Sequence, residues 1–321
     1  MSNQKIIVTG GSGFIGTNLI DFYINNNINV RNLDHLPPKK KEHFQYWVNV
    51  DITNYSELEK EILAINPDYV IHLAARTDLD GKKLVDYSAN IVGVKNLVSV
   101  LKKITNLKRV IFTSSQLVCY GRQPKDDNDF NTINHYGESK RLGELIIRND
   151  SEISFEWIII RPTSIWGPWF KIPYRTFFDL ILAHKYFHIG NYKCHKTYGY
   201  IGNTIYQINK IIYAPYDTVK QKVFYIGDDP PYSIEQWANE IANEIGSTVY
   251  RLPFIIFKML ALFGDVLKCI GVSFPMTSYR LYNLTNNNLC NVSSIMTLAP
   301  NLPFSRVEGV KQTLKWINNP K

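Results

Sequence analysis

Tyr136 and Lys140, four residues apart in His135-Tyr136-Gly137-Glu138-Ser139-Lys140, are the pair in this 321-residue chain best suited to moving a proton. On a helix that spacing sets both on one face, where they can converge on a common ligand. A phenol keeps its proton to about pH 10, and a neighbouring ammonium favours its ionised form. Tyr136 is therefore a candidate base. Such pairs also occur on helices that do no chemistry, so other segments must supply the context. Phe112-Thr113-Ser114-Ser115 closes an apolar run and delivers hydroxyls able to bond a substrate oxygen while the proton moves. Near the start, Lys5-Ile6-Ile7-Val8-Thr9 runs into Gly10-Gly11-Ser12-Gly13-Phe14-Ile15-Gly16, a strand turning into a helix that begins on an anion. Gly10 permits the tight turn, Gly13 lets the backbone approach phosphate oxygens, and Gly16 lets the helix lie close on the sheet.

That turn is the signature of a dinucleotide site. Asp34 closes a second apolar run, Ile28 to Leu33, at the distance where a carboxylate receives both adenosine ribose hydroxyls. The same charge repels a 2′-phosphate, so NAD is expected over NADP. His35, Lys39, Lys40 and Lys41 follow, a cationic cluster that either neutralises such a phosphate or forms a solvated loop. An oxidised nicotinamide ring brings a second positive charge that favours a Tyr136 phenolate.

The elements that must position these residues alternate. Thr53 is expected to cap a helix through Ile65, with Glu57 and Glu59 early in it, and Pro67-Asp68 turns the chain into the apolar run Tyr69 to Leu73. A long helical segment from about Lys82 to Ile104 leads to a strand at Arg109 to Thr113. A helix from about His135 to Asn149 leads to a strand at Trp157 to Arg161. Apolar runs separated by helical patterns indicate a parallel sheet covered on both faces. The expectation is an α/β fold: a Rossmann-type doubly wound sheet over 1–165, with a return segment near 196–215. A smaller, mainly substrate-binding α/β domain is expected over 166–321, where the pattern loosens before strand and helix signals return at Val223 to Ile226 and Ser233 to Ile245. Ligands of such sheets bind at the carboxyl ends of the strands, so the loops after Leu73, Thr113 and Arg161 should converge.

Composition narrows the remaining classes. Cys119, Cys194, Cys269 and Cys290 are irregularly spaced without a C-x-x-C pair, which suits a reducing compartment and gives no disulfide or zinc framework. His184, His188, Cys194 and His195 match no familiar metal pattern, and no metal is expected. The net charge of +8 is scattered rather than gathered in a stripe, so an anionic small substrate is expected in preference to nucleic acid. The N-terminal apolar residues belong to the first strand rather than to a signal layout, which points to a cytoplasmic protein. The longest apolar stretch, Phe254 to Val272, is interrupted by Lys258, Asp265 and Lys268 and so is no membrane span. It is expected as a core-facing amphipathic helix, with contact to a membrane surface as the alternative.

Taken together, the motifs resemble the extended short-chain dehydrogenase/reductase family, in its NAD-dependent sugar epimerase and dehydratase group, over nearly the whole chain. Thr9 to Gly16 matches T-G-G-x-G-F-x-G. Asp51-Ile52 matches the pair that meets adenine, and His72-Leu73-Ala74-Ala75 the strand end beside the cofactor. Asn90, Gly93 and Asn96 match N-x-x-G-x-x-N. Ser114-Ser115, Tyr136 with Lys140, and Arg161-Pro162 followed by Trp166-Gly167-Pro168 match the remaining motifs. The resemblance implies hydride transfer between nicotinamide and a substrate carbinol. Tyr136 would pass the hydroxyl proton, Lys140 hold the nicotinamide ribose and lower the phenol pKa, and Ser115 orient the oxygen. It also implies a homodimer paired through the helices at roughly Lys82 to Ile104 and His135 to Asn149.

Departures from the pattern are informative. Family members that dehydrate nucleotide sugars place Asp-Glu after the serine or threonine, where this chain has Gln116-Leu117, so dehydration is not expected. The usual V-Y-G reads Val118-Cys119-Tyr120-Gly121, and Y-V-D-D reads Tyr200-Ile201-Gly202-Asn203. For a sugar diphosphate, Gln116, Arg76 and Thr77 fall near the reacting carbon. Trp166, Tyr174 and Tyr198 offer aromatic faces, and Arg175, Arg251 and Arg280 are the cations for the diphosphate. The expected function is a nucleotide-sugar epimerase acting through a keto intermediate, with C4 the expected carbon. A keto-sugar reductase or dehydrogenase, a hydroxysteroid-dehydrogenase-like enzyme and a non-catalytic dinucleotide-binding module are the alternatives.

Overall fold

Strand residues in the first half point alternately into two apolar layers, and that alternation builds the molecule. The computed structural model describes residues 4–171, 174–272 and 274–319. Seven strands form one parallel sheet: β1 (Lys5–Thr9), β2 (Asn29–Asp34), β3 (Trp47–Asn49), β4 (Tyr69–His72), β5 (Arg109–Thr113), β6 (Glu156–Pro162) and β7 (Val223–Ile226). Their order is β7-β6-β5-β4-β1-β2-β3, which reverses direction between β1 and β4. Ile6, Val8, Ile71, Ile111 and Ile160 share one layer with Leu19 and Ile20 of α1 (Phe14–Asn25). The opposite layer joins Ile7, Val70, Val110 and Ile159 to Leu58 of α2 (Tyr55–Ile65), Leu97 of α3 (Val94–Leu101) and Ile147 of α4 (His135–Arg148). Buried residues on both faces of each strand explain why the runs read as continuously apolar.

In the second half, α5 (Tyr174–Leu182), α6 (Ile201–Ile212) and α7 (Ile234–Glu244) are followed by α8 (Phe254–Cys269), α9 (Ser278–Thr285) and α10 (Arg306–Asn318). Three two-stranded ladders join them: Ser164–Trp166 with Tyr198–Tyr200, His195–Lys196 with Tyr232–Ser233, and His188–Ile189 with Arg251–Leu252. α6 supplies Ile205, Ile208 and Ile211 to the same layer as α1, and β7 pairs with β6. The sheet thus takes chain from well beyond residue 165.

Three local expectations are corrected. The cap of α2 is Asn54, whose side chain accepts from Glu57 N–H, while Thr53 is held by Asp51. The segment from Lys82 to Ile104 is a 3₁₀ turn (Leu84–Tyr87), a π turn (Ala89–Gly93) and only then α3. The π turn inserts Asn90, whose amide bonds outside the helix, a common use of such insertions. Finally, α8 forms as expected but does not face the core. Its buried residues are Phe257, Ala261 and Gly264, and most of its large apolar side chains meet solvent. No described helix is long and apolar enough to cross a membrane.

Candidate active site

The carboxyl ends of β1, β4, β5 and β6 bring the chemistry-bearing residues to one crevice. Gly10 ends β1 with φ +72°, and a Cβ there would sit 2.5 Å from Ala74 N, so only glycine admits the loop Leu73-Ala74-Ala75. A Cβ on Gly16 would meet Gly10 O at 2.3 Å, which is why α1 can start against the turn. Gly13 is the N-cap of α1 and has no side chain in the way. Phe14 and Ile15, half-buried in the first turn, pack on the core. Asp34 accepts from Ser12 N–H at 3.0 Å and from Leu36 N–H at 2.9 Å, a carboxylate fastened to the rim of the glycine turn.

Asp51 is exposed and Ile52 buried at the neighbouring strand end, where Asn96 Nδ2 donates to the carbonyls of Ile52 and Thr53. Asn90 accepts from Arg76 N–H at 2.8 Å and donates to Arg76 O and to Ser139 Oγ. Both of its amide hydrogens are thereby taken, so Asn90 ties the loop after β4 to α4 rather than reaching into the crevice.

Tyr136 and Lys140 are both buried on α4, whose N-cap Asn134 accepts from Gly137 N–H at 2.7 Å. Lys140 Nζ donates to Thr113 O at 2.8 Å. Burial pulls its pKa down to about 8, against the opposing charge of Glu144. Ser115 Oγ accepts from Leu117 N–H at 3.1 Å, which leaves its own hydrogen to donate. Burial pushes the Tyr136 phenol up to about 12, while the Ser115 hydroxyl draws it back. The protein alone therefore holds Tyr136 protonated, burial being the largest cause and Ser115, not Lys140, the group that draws the phenol back.

Under this pair, His72 is fully enclosed. Thr9 Oγ1, which accepts from Ala74 N–H, shares a 2.7 Å hydrogen bond with His72 Nδ1. Burial, with help from the Lys140 charge, drives the His72 pKa down to about 3, so the ring is neutral. His72 Nε2, Thr113 Oγ1 and Ser114 Oγ are buried without partners among the described residues. Pro162 closes β6 beside them. Such orphaned groups at strand ends, together with a turn that no Cβ can enter, fit a dinucleotide lying across the switch point.

Sequence reasoning missed what holds α4 in place. Glu144, one turn after Lys140, takes two hydrogen bonds of 2.8 Å from Arg161, and both side chains are fully buried. The i+4 spacing from Lys140 was the available signal.

The substrate candidates separate. Gln116 is buried, donating to Ser164 Oγ at 3.2 Å and accepting from Cys290 Sγ at 3.2 Å, and Tyr174 donates to that same Ser164 at 2.9 Å. Tyr198 packs its ring 6.3 Å from that of Tyr174. Arg76 pairs with Asp78 and lies over the Tyr87 ring, and Thr77 is exposed next to it. Trp166 corrects the expectation: it is 0% exposed, boxed in by Phe178, Tyr200, Tyr232 and Trp237, with no face left for a sugar. Arg175 pairs with Asp179 and stacks on Trp316, and Arg251 holds Gly190 O and Glu235. Arg280 donates to Pro275 O from exposed ground on α9.

Comparison with known proteins agrees with this geometry. The model of the NAD dependent epimerase/dehydratase family matches residues 6–209. The chain is 26% identical to an N-acetyl-alpha-D-glucosaminyl-diphospho-ditrans,octacis-undecaprenol 4-epimerase of Escherichia coli O157:H7, over 98% of this chain and 95% of that protein. A 3-beta-hydroxysteroid dehydrogenase of Mycolicibacterium neoaurum is 28% identical over 78% of this chain and 72% of its own length. The UDP-glucose 4-epimerase of Thermotoga maritima, solved with UDP-glucose, superposes with a TM-score of 0.76 at 20% identity, covering 99% of both chains.

Proposed function

The chain belongs to the NAD-dependent epimerase/dehydratase family, and from that premise we propose that it is a 4-epimerase of a sugar whose anomeric carbon carries a diphosphate. The observation that carries the reading is the buried Tyr136 phenol beside Ser115, on a helix fastened at Lys140 to the strand end that also faces the glycine turn. NAD, when bound, supplies the acceptor and donor of the sugar's hydride. Gly10, Gly13, Phe14, Ile15 and Gly16 receive its pyrophosphate, Asp34 its adenosine ribose, Asp51 and Ile52 its adenine, and Leu73, Ala74, Ala75, Ser114 and Pro162 its nicotinamide half. Lys140 holds the nicotinamide ribose.

In this reading Tyr136 takes the proton of the C4 hydroxyl as that carbon becomes a ketone, and returns it after the sugar presents its other face. Ser115, its lone pair occupied by Leu117 N–H, donates to the same oxygen and fixes its position. A high pKa for the phenol before the cofactor binds makes ionisation conditional on a positive charge arriving, which confines the base to the loaded enzyme. Gln116 and Leu117, where dehydratases carry Asp-Glu, leave no acid and base for removing water.

Two further points belong to this reading. Ile91, Leu142 and Ile146 line a groove along α4 that suits the family's homodimer pairing. The keto-sugar reductase or dehydrogenase is the second reading, and the hydroxysteroid-like alternative has the Mycolicibacterium neoaurum relative behind it. One experiment separates them: small molecules released from freshly purified protein are identified by mass, and turnover of UDP-N-acetylglucosamine is assayed without added cofactor. Retained NAD with turnover supports epimerisation. Absolute dependence on added NAD(P)H overturns it.

A further inference from the structure

Seen along α8 at about 100° per residue, Ile255, Met259, Leu262, Val266 and Ile270 form one stripe, with Phe263 at its edge. Each is more than half exposed. Phe257, Ala261 and Gly264 lie on the opposite side and hold the helix to Leu281 and Met276. The apolar stripe is therefore not a loosely packed core face; it points directly away from the protein. A contiguous exposed apolar stripe of this kind marks an interaction surface.

Two features identify what covers it. The first is charge: residues 250–292 carry Arg251, Lys258, Lys268 and Arg280 against one carboxylate, Asp265. That carboxylate is engaged by Ser278 N–H at the foot of α9. An apolar stripe bordered by Lys258, in a segment of net positive charge, complements anionic headgroups over acyl chains, whereas two copies of the segment would repel. The second is position. Tyr120, from the segment that follows Ser115, donates to Asn283 of α9 at 3.4 Å. The segment after Ser115 is thereby joined to α9, and α9 packs on α8 through Leu281.

We propose that α8 seats its apolar stripe in an anionic bilayer surface, and that the sugar diphosphate reaching Tyr136 is carried by a membrane lipid whose chain leaves the crevice along α9. This rests on the 4-epimerase reading and deepens it by assigning the carrier. The soluble half of such a substrate, a sugar and two phosphates, fills the crevice. The tail stays at the interface, so the enzyme need not extract it.

The test is flotation of the full chain with vesicles of phosphatidylethanolamine and phosphatidylglycerol, with phosphatidylcholine vesicles as the neutral control. The chain is expected to float with the anionic vesicles and at least several-fold less with the neutral ones. Leu262→Ser combined with Phe263→Ser and Val266→Ser should abolish flotation. Lys258→Glu with Lys268→Glu should weaken it about fivefold per lysine. These exposed substitutions should leave NAD retention unchanged, which guards against misfolding. Equal flotation of the triple variant, or its conversion of an oligomer to monomer without loss of flotation, overturns the membrane seat. An N-acetylglucosaminyl diphosphate on a short prenyl chain, embedded in the same vesicles, should turn over faster than UDP-N-acetylglucosamine, and only this arm should fall in the triple variant. Turnover of the nucleotide sugar alone overturns the lipid carrier. Flotation with turnover of neither substrate means the epimerase reading has failed while the membrane seat stands.

Discussion

Helices α4 and α8 invert the usual relation between composition and burial. α4 (HYGESKRLGELIIR) is rich in charge, yet it buries Lys140 and Glu144 as well as Tyr136 and Ser139. α8 (FIIFKMLALFGDVLKC) is mostly apolar and buries little. The difference lies in what the surroundings offer. Three buried polar groups of α4 have partners that offset their desolvation: Thr113 O for Lys140, Arg161 for Glu144, Tyr136 O for Ser139. α8 lies on one side of a small layer formed with α9, and its outer face is exposed among the described residues. Burial is decided by neighbours, and hydropathy only states which neighbours a segment needs.

The contrast can be broken at α4 first. Tyr136→Phe keeps the ring and its packing but removes the transferable proton. Turnover should fall by about 10²–10⁴-fold with NAD retention unchanged; a near-normal rate would remove Tyr136 from the mechanism. Arg161→Ala leaves the buried Glu144 with only Arg148, at 3.2 Å, to balance its charge, and denaturant unfolding should register a loss of up to about 3–5 kcal/mol. A loss below about 1 kcal/mol would mean that Arg148 or water replaces Arg161 at Glu144, and that α4 does not depend on Arg161.

Protonation sharpens the same point. His72 is buried neutral with a pKa of about 3, below its ordinary 6.5, so the unfolded chain binds the extra proton between those values. Stability should therefore decline as pH falls from about 6.5 towards 3, and His72→Asn should flatten that part of the curve. Lys140, held to about 8, loses its charge above that pH. NAD affinity should weaken from there upward, and a binding curve flat to pH 10 would deny Lys140 its charged role.

The smallest effect belongs to the outer face of α8. Val266→Ser, on exposed ground, should move the unfolding free energy by no more than about 0.5 kcal/mol. Phe257→Ala on the inner face should cost about 3 kcal/mol or more. A large loss at Val266 would show that the stripe is covered within the protein itself.

Much of this was legible in the chain because the signals were local. Arg109 to Thr113 and Val223 to Ile226 are short apolar runs that match their strands at both ends. The glycine turn and the Tyr136 to Lys140 spacing each depend on a few neighbouring residues. The break in the segment after Lys82 was hidden, because Asn90 leaves the helix pattern only to bond Arg76 and Ser139, one of them 49 residues away. Trp166 read as an available ring until Phe178, Tyr200, Tyr232 and Trp237 closed around it.

Residue order alone determined the alternation of strand and helix, the anion-binding turn and the pairing of phenol with ammonium, since periodicity, glycine geometry and one helical turn are properties of contiguous chain. Only the folded arrangement decided that Tyr136 begins protonated, that Glu144 and Arg161 share a buried bond, and that the most apolar helix faces outward. Desolvation, ion pairing and exposure depend on side chains brought together across long separations, and no short stretch of residues contains its own surroundings.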